Sequence, residues 1–240
     1  MLIMKILRTS VTLAGLILLG FPGNAETVTE PVQPVLKNPI QAVVPLPLLN
    51  THMADPRVIA KVQVNSLGEV DDLVVIDAAH IGLIQRAENL IRNAEIVTGE
   101  LESDQSVRFD FNLPFLYPAD LGLQMKTPMD DVEIMLETVK HTDFEVHLHM
   151  PNELDNPPRL LDRGQIYMPT DADGVTIVGE AKVEFYVNHL GEVRLPRILS
   201  STHDEVSKAA IASVRDMKFE PPMVDGSPMV TVVRMPFKTN

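Results

Sequence analysis

The chain contains no cysteine and no tryptophan, and only three tyrosines and eight phenylalanines among 240 residues. Without cysteine it cannot form disulfides, thiolate metal sites, a cysteine nucleophile or a lipid-modified N-terminal cysteine. Positive charge is also scarce, because 20 Lys and Arg face 33 Asp and Glu, which gives a formal net charge of -13. Surfaces that bind nucleic acid need clustered Lys and Arg, so we expect no nucleic-acid partner.

The chain also lacks the short motifs that mark common catalytic and cofactor sites. It contains no Gly-rich phosphate loop, no His-Glu-x-x-His helix and no complete calcium loop. Ser200 and Ser201 precede His203, but no Gly-x-Ser-x-Gly turn surrounds them, and serines just before a helix are usually caps. We therefore predict no catalytic residues, no cofactor and no enzymatic activity.

The first residues have the features of an export signal. Lys5 and Arg8 are followed by an apolar run over residues 11–21, then by a helix break and the small residue Ala25. The run is shorter than the roughly 20 apolar residues of a membrane-spanning helix, which favours a cleaved signal peptide at residues 1–25. We expect a periplasmic protein, or one anchored in the inner membrane if the segment is retained.

Residues 26–44 are predicted to form an extended arm. Proline fixes φ and lacks a backbone donor, so a proline-rich stretch resists both helix and central strand. The prolines in and just after this segment are Pro31, Pro34, Pro39, Pro45 and Pro47.

The rest of the chain contains an internal repeat. The heptapeptide at residues 64–70 recurs 123 residues later at residues 187–193, with one difference in seven positions. At the same spacing, His80 corresponds to His203, Ala87 to Ala210, Arg92 to Arg215 and Ile96 to Phe219. After a one-residue slip, Leu113-Pro114-Phe115 corresponds to Met235-Pro236-Phe237. We infer two homologous units, residues 45–117 and 155–240, joined by a connector at residues 118–154.

Each unit is predicted to have the element order β-β-α-β. Alternating apolar residues indicate two strands of a hairpin, whose turn carries Gly68 or Gly191 because glycine tolerates positive φ. A helix and a third strand follow, and His80 and His203 are predicted to cap the helix starts. The apolar faces of the helices comprise Leu83, Ala87, Leu90, Ile91 and Ala94 in the first unit, and Val206, Ala210, Val214 and Met217 in the second. The predicted fold class is α+β, with two small antiparallel sheets that each pack one helix.

Seven short motifs follow one another in the second unit: Tyr167-Met168-Pro169, Asn188-His189-Leu190-Gly191, Ser200-Ser201, Ala209-Ala210, Lys218-Phe219-Glu220-Pro221, Asp225-Gly226-Ser227-Pro228 and Pro236-Phe237. In this order and spacing the second unit resembles the C-terminal domain of the TonB family. The first unit resembles it less closely, because residues 99–106 lack the Gly-Pro turn. Met217 stands where the family usually has an aromatic residue.

The resemblance implies a mechanical role in protein binding during outer-membrane transport. A TonB transducer responds to a proton-driven motor in the inner membrane and grips the plug of an outer-membrane receptor. In β-augmentation, a receptor segment would add a strand to an open sheet edge. The matching edge strand comprises Met229, Val230, Thr231, Val232, Val233, Arg234, Met235, Pro236 and Phe237.

The N-terminal segment departs from the family's anchor helix, which carries Ser and His on one face, because this apolar run contains no His. We therefore favour a periplasmic adaptor over a membrane-anchored transducer, which is the first alternative. The expected partner is an outer-membrane receptor or another envelope protein. A homodimer, or pairing of the two units with each other, would compete for the same edge.

The connector is predicted to contain a helix over residues 127–139 and an amphipathic strand over residues 142–150. Glu145, His147 and His149 would share one strand face, and His141 could add a further imidazole, as in a metal-dependent enzyme. This enzyme is the second alternative. A polar, solvent-facing strand surface produces the same alternation, so we predict no metal site.

We predict that the mature chain begins at Glu26, because cleavage after Ala25 removes the whole signal. Loss of Lys5 and Arg8 would make the formal charge more negative by two. Mass spectrometry of the N-terminal peptide from exported protein should find Glu26, whereas an intact Met1 in the inner membrane would support the transducer.

Overall fold

Alternating apolar residues in both halves of the chain form long strands, and the resulting α+β fold is mostly sheet. The computed structural model describes residues 34–51, 53–99, 101, 105–121 and 145–239, which lie in one compact unit, Val32–Asn240. The strands are β1 (Val35–Leu36), β2 (Ala42–Val43), β3 (Arg57–Asn65), β4 (Val70–Ala78), β5 (Ile96–Val97), β6 (Ser106–Leu116), β7 (Val146–His149), β8 (Leu160–Asp162), β9 (Gly179–Val187), β10 (Val193–Ser201), β11 (Lys218–Phe219), β12 (Met223–Val224), β13 (Ser227–Pro228) and β14 (Val230–Thr239). The described α-helices are α1 (Ile84–Arg92) and α2 (Asp204–Arg215), and 3-10 helices cover Leu46–Leu48, Ile81–Leu83, Pro118–Leu121 and Pro151–Glu153.

Eight of the strands form one sheet in the order β10-β9-β14-β7-β4-β3-β6-β2. In each half, the first hairpin strand lies between the second and the last strand, as β4-β3-β6 and as β10-β9-β14. The short β7 joins the two groups, because it pairs antiparallel with β4 at residues 77–78 and parallel with β14 at residues 230–231. The halves therefore share one strand order, while the two-domain boundaries at 45–117 and 155–240 stay a prediction.

Each half has its own hydrophobic cluster, in which a helix covers one sheet face. Of the apolar face predicted for the second helix, Val206, Ala210 and Val214 are buried on α2, and Met217 is buried two residues beyond its end. In the first half, Leu83, Ala87 and Ile91 are buried and Leu90 and Ala94 pack partly against the same cluster. The predicted arm contributes to this core from residue 34 onward, because Ala42 and Val44 are buried next to β6.

The hairpin turn of the second half needs glycine for two reasons. Gly191 has a φ of +81°, and a Cβ there would lie 2.0 Å from the carbonyl oxygen of Phe219. The Asn188 side chain holds the turn by accepting bonds from the N–H groups of Leu190 and Glu192. The same arrangement occurs in the first half with Asn65, Gly68 (φ +83°) and Ile96.

The two histidines predicted to cap helices behave differently. His80 Nδ1 accepts a bond from the Gly82 N–H at 2.9 Å, as predicted, although it caps the 3-10 turn that precedes α1. His203 occupies the N-cap position of α2 but makes no capping bond, so that prediction is wrong. Its Nδ1 lies 3.0 Å from Thr202 Oγ1 instead, and Asp204 and Glu205 supply negative charge to the first helical turn.

The connector strand is shorter than predicted. β7 covers only Val146–His149, and of its predicted apolar face Val146 is buried while Leu148 and Met150 are 36% and 54% exposed. The predicted amphipathic alternation therefore buries only Val146 within the described strand, because β7 bridges only the ends of two strands. The signal peptide at residues 1–25, the predicted helix at residues 127–139 and His141 lie outside the described residues. Among the residues that are described, no helix has the length and apolar character needed to cross a membrane.

Replacing the turn glycine should separate backbone strain from steric overlap. Gly191→Ala should lower the free energy of unfolding by about 1–2 kcal/mol for the left-handed φ and by a further ~1–3 kcal/mol for the overlap with Phe219. Gly174 is the matched control, because it has a φ of +79° with no heavy atom within 4 Å of its added Cβ. Urea denaturation of both variants measures the difference, and equal destabilisation would contradict the overlap.

Candidate partner-binding edge

The predicted edge strand at residues 229–237 corresponds to β14, which continues to Thr239. One side of β14 pairs with β9 along residues 231–239. On the other side only residues 230 and 231 are paired, with Leu148 and His149 of β7. Because Met229, Val230 and Thr231 are buried at this junction, they do not belong to an open edge. From Val232 onward, no other strand of the described chain pairs with this side of β14, and this stretch is the open side.

The directions of the backbone groups follow from the bonds of β9. The Thr202 N–H donates to the Glu180 carbonyl, so even-numbered residues of β9 point their backbone groups toward β10 and odd-numbered ones toward β14. By register, odd-numbered residues of β14 then point toward β9. The open side consequently presents N–H groups of Val232, Arg234 and Lys238. Pro236 also faces this side, where its missing N–H costs no sheet bond.

Glu184 lies in the middle of the second sheet, on the face opposite α2. Its side chain is 4% exposed and accepts hydrogen bonds from Arg197 Nε and Arg234 Nε, each at 2.7 Å. Burial opposes ionisation, but the bonds from Arg234 and Arg197 outweigh it and hold the pKa of Glu184 below its ordinary value. Because the three residues are register neighbours, the ion pairs tie β10, β9 and β14 together. Because two arginines share the one carboxylate of Glu184, this group of three carries one net positive charge beside the open side of β14.

The edge formed by β10 is covered along its middle. The Leu195 N–H donates to Asp72 Oδ2 at 2.6 Å, and the carbonyls of Leu195 and Pro196 accept bonds from Arg108 at 3.1 and 2.8 Å. Asp72 and Arg108 belong to β4 and β6, so side chains of the first half cover the border of the second. The longer unpaired border of the second half is therefore that of β14.

A cleft of about 400 Å³ lies next to β10 and the end of α2. Its charged groups include the ion pair between Arg194 and Glu192, at 2.6 Å. The lining residues are Gly164, Gln165, Glu192, Val193, Arg194, Arg215, Asp216, Met217 and Lys218. None of these residues is a Ser, Thr, Tyr, Cys or His, so the cleft lining contains no hydroxyl, thiol or imidazole group.

The candidate metal ligands of β7 are engaged in other bonds. His147 Nδ1 lies 3.0 Å from Asp77 Oδ2, and its Nε2 lies 3.1 Å from Glu145 Oε2. His149 Nδ1 lies 3.5 Å from Glu153 Oε2. Since carboxylates occupy both ring nitrogens of His147, metal binding would require breaking these bonds. The described residues contain no group of three or more ligands placed to hold a metal.

Sequence reasoning missed Glu184, its two arginines and the cover over β10. The alternation of β9 places Glu184 on the face opposite Val183 and Phe185, which is a signal that a strand pattern can provide. Its pairing with Arg197 and Arg234 also depends on the register of both neighbouring strands. Asp72 and Arg108 offered no such signal, because they contact residues that lie far away in the sequence.

The half that presents the open edge has the hairpin, helix and last strand in one continuous segment. Residues 165–239 match the family model of the Gram-negative bacterial TonB protein C-terminal. The match supports a protein-interaction role of the TonB type in envelope transport, and domains of this family are non-enzymatic modules. The matched residues do not include the first unit, so a second tandem copy stays a prediction. No curated protein matches the chain.

Protonated His147 should stabilise the junction between β7 and β4. Burial alone lowers its pKa, but the bonds to Asp77 and Glu145 outweigh burial and raise the pKa above the ordinary 6.5. The folded chain thus holds this proton more tightly than the unfolded chain, so the stabilisation is complete below pH 6.5 and is lost as the pH rises through the raised value. With 43% of the side chain exposed, we expect an effect of less than about 1 kcal/mol.

The measurement is the free energy of urea unfolding of the unsubstituted protein minus that of His147→Gln, from about pH 5.5 to about pH 8.5. The difference should shrink as the pH rises. His189→Gln is the control with the opposite sign, because burial lowers the pKa of His189. A His147→Gln profile that runs parallel to the unsubstituted one would contradict the prediction.

Proposed function

We propose that the chain is a non-enzymatic periplasmic adaptor that docks an extended segment of a partner protein on the open side of β14. The observation that supports the proposal is the unpaired side of residues 232–239, in the half that matches the TonB C-terminal family. Strand addition gains backbone hydrogen bonds and makes few demands on side chains. The partner is an outer-membrane receptor or another envelope protein.

The position of β7 favours docking at this edge. β7 already lies parallel to the start of β14, and the chain leaves the sheet through the 3-10 helix Pro151–Glu153. A docked segment would pair with β14 beyond the two residues that β7 covers, where the 3-10 helix Pro151–Glu153 approaches β14 without strand pairing. It would face Val232, Arg234 and Lys238, whose N–H groups lack a strand partner within the described chain.

The side chains around the edge suit a reversible partner rather than self-aggregation. Natural edge strands are protected by charged residues and proline, and β14 carries Arg234, Pro236 and Lys238 on its exposed face. The bond to Glu184 holds the Arg234 side chain against the sheet. A partner strand would therefore meet a preformed template, which lowers the entropy cost of docking.

The membrane-anchored transducer remains the alternative function. It differs from the adaptor only in its N-terminal residues, which lie outside the described part of the chain. The state of the N-terminus, cleaved at Ala25 or intact in the inner membrane, therefore distinguishes the two functions.

The docking test uses two substitutions at one position. Arg234→Pro removes an outward N–H and places a ring on the open side, whereas Arg234→Ala removes only the charged side chain. Both lose the bond to Glu184. We expect Arg234→Pro to bind synthetic peptides from the N-terminal segments of outer-membrane receptors about tenfold or more weakly than Arg234→Ala, which is the loss of roughly one backbone hydrogen bond or more.

Fluorescence anisotropy measures the peptide affinity, and circular dichroism checks that both variants fold. Deleting the strand would be less informative, because residues 230 and 237 belong to the buried core. Equal affinities of two folded variants would contradict docking on β14.

A further inference from the structure

We infer that the chain forms a homodimer through the outer edge of β6, where two copies pair antiparallel about a two-fold axis at Phe109. This inference concerns a different edge from the proposed docking site. It does not depend on the proposed function, because β6 lies outside the residues that match the TonB family.

The outer edge of β6 is unpaired along most of its length. β3 pairs with one side of β6 over residues 106–114. On the other side only Phe115 and Leu116 are paired, with Ala42 and Val43 of β2. No other strand in the described residues lies along the outer side of residues 106–114.

The backbone groups that face outward belong to the even-numbered residues. The Phe115 N–H donates to the Pro56 carbonyl at 2.7 Å, so odd-numbered residues of β6 point toward β3. Ser106, Arg108, Asp110 and Asn112 therefore point their N–H and C=O groups outward. Pro114, which has no N–H, ends this run.

The sequence of the edge is complementary to itself in one antiparallel register. A two-fold axis at Phe109 pairs Arg108 with Asp110 of the second copy and Asp110 with its Arg108. The other opposed pairs are Val107 with Phe111, Ser106 with Asn112 and Phe109 with itself. Each charged residue thus faces the opposite charge, each apolar residue faces an apolar one, and each polar residue faces a polar one. Such cross-strand pairs stabilise a sheet.

The neighbouring registers with the same backbone alignment lack this complementarity. An axis at Arg108 would place two arginines opposite each other, and an axis at Asp110 would oppose two aspartates. Like charges directly opposite each other destabilise a sheet. With the axis at Phe109, the outward groups of Arg108 and Asp110 also form a hydrogen-bonded pair across the interface.

The side chains at the edge keep part of their bonding capacity for these contacts. Arg108 already donates to Gln63 and to the carbonyls of Leu195 and Pro196, so about two of the five N–H groups of its guanidinium are left for a carboxylate of the second copy. The Asp110 side chain is 60% exposed and pairs with Lys61 at 2.7 Å, which leaves it room for a second cation. Burial and the nearby Arg197 lower the pKa of Arg108, so a carboxylate of the second copy would offset an unfavourable environment. Phe109 is half-buried, with its ring 6.3 Å from that of Phe111, and pairing would cover its remaining surface.

Disulfide trapping tests the register, because the chain has no cysteine of its own. Residues at a two-fold axis in a non-hydrogen-bonded pair have Cβ atoms about 5 Å apart, close to the distance that a disulfide spans. Phe109→Cys should form a covalent dimer under mild oxidation. The matched control is Asn112→Cys on the same edge, which faces Ser106 rather than itself and should crosslink poorly.

Sedimentation of the otherwise unsubstituted protein tests the charge pairs without altering Phe109. It should show a monomer–dimer equilibrium, and Asp110→Lys should weaken it about tenfold or more, since Lys would face Arg108 in both pairs. Lys61→Gln is the control, because it removes only the intrachain partner of Asp110. A monomer at every concentration, equal crosslinking at residues 109 and 112, or a dimer insensitive to Asp110→Lys would overturn the inference.

Discussion

Asp72 accepts a hydrogen bond from the Leu195 N–H, and Arg108 donates to the carbonyls of Leu195 and Pro196. These bonds join the two halves of the chain at a place where no strand pairing does so. They satisfy backbone groups at the border of β10 that would otherwise need water or another strand. Beyond the middle of β10, long unpaired stretches of backbone in the described sheet lie on β14, on β6 and on the side of β4 that β7 covers only at residues 77–78. A contact between side chains of one half and the backbone of the other therefore decides which part of β10 is closed to a further strand.

The second half combines a sheet whose strands are joined by ion pairs with a border that is only partly paired. Glu184 and its two arginines connect three strands on one face, while α2 covers the other. β7 fills the first two positions beside β14 and then leaves the sheet. A border that is paired at one end and unpaired along the rest offers a defined starting point for an added strand. This combination suits a protein-interaction module of the TonB type better than a catalytic site.

Local features of the sequence predicted the fold well. Asn and Gly at fixed spacing identify both hairpin turns, and the helical apolar faces identify α1 and α2, because each signal depends on neighbours along the chain. The placement of β7 could not be predicted in this way, since a four-residue strand joins whichever borders the rest of the fold leaves open. For the same reason sequence reasoning placed residues 229–231 at an open edge, whereas β7 covers them. The pairing of Glu184 and the cover over β10 required the register of distant strands.

The direction of β14 has a mechanical consequence. A segment bonded along residues 232–239 and pulled parallel to the strand would load its hydrogen bonds in shear, so that they share the force and fail together. A pull across the strand would instead peel them apart one at a time at a much lower force. The grip of such an edge therefore depends on the angle of pulling as well as on the number of bonds it forms.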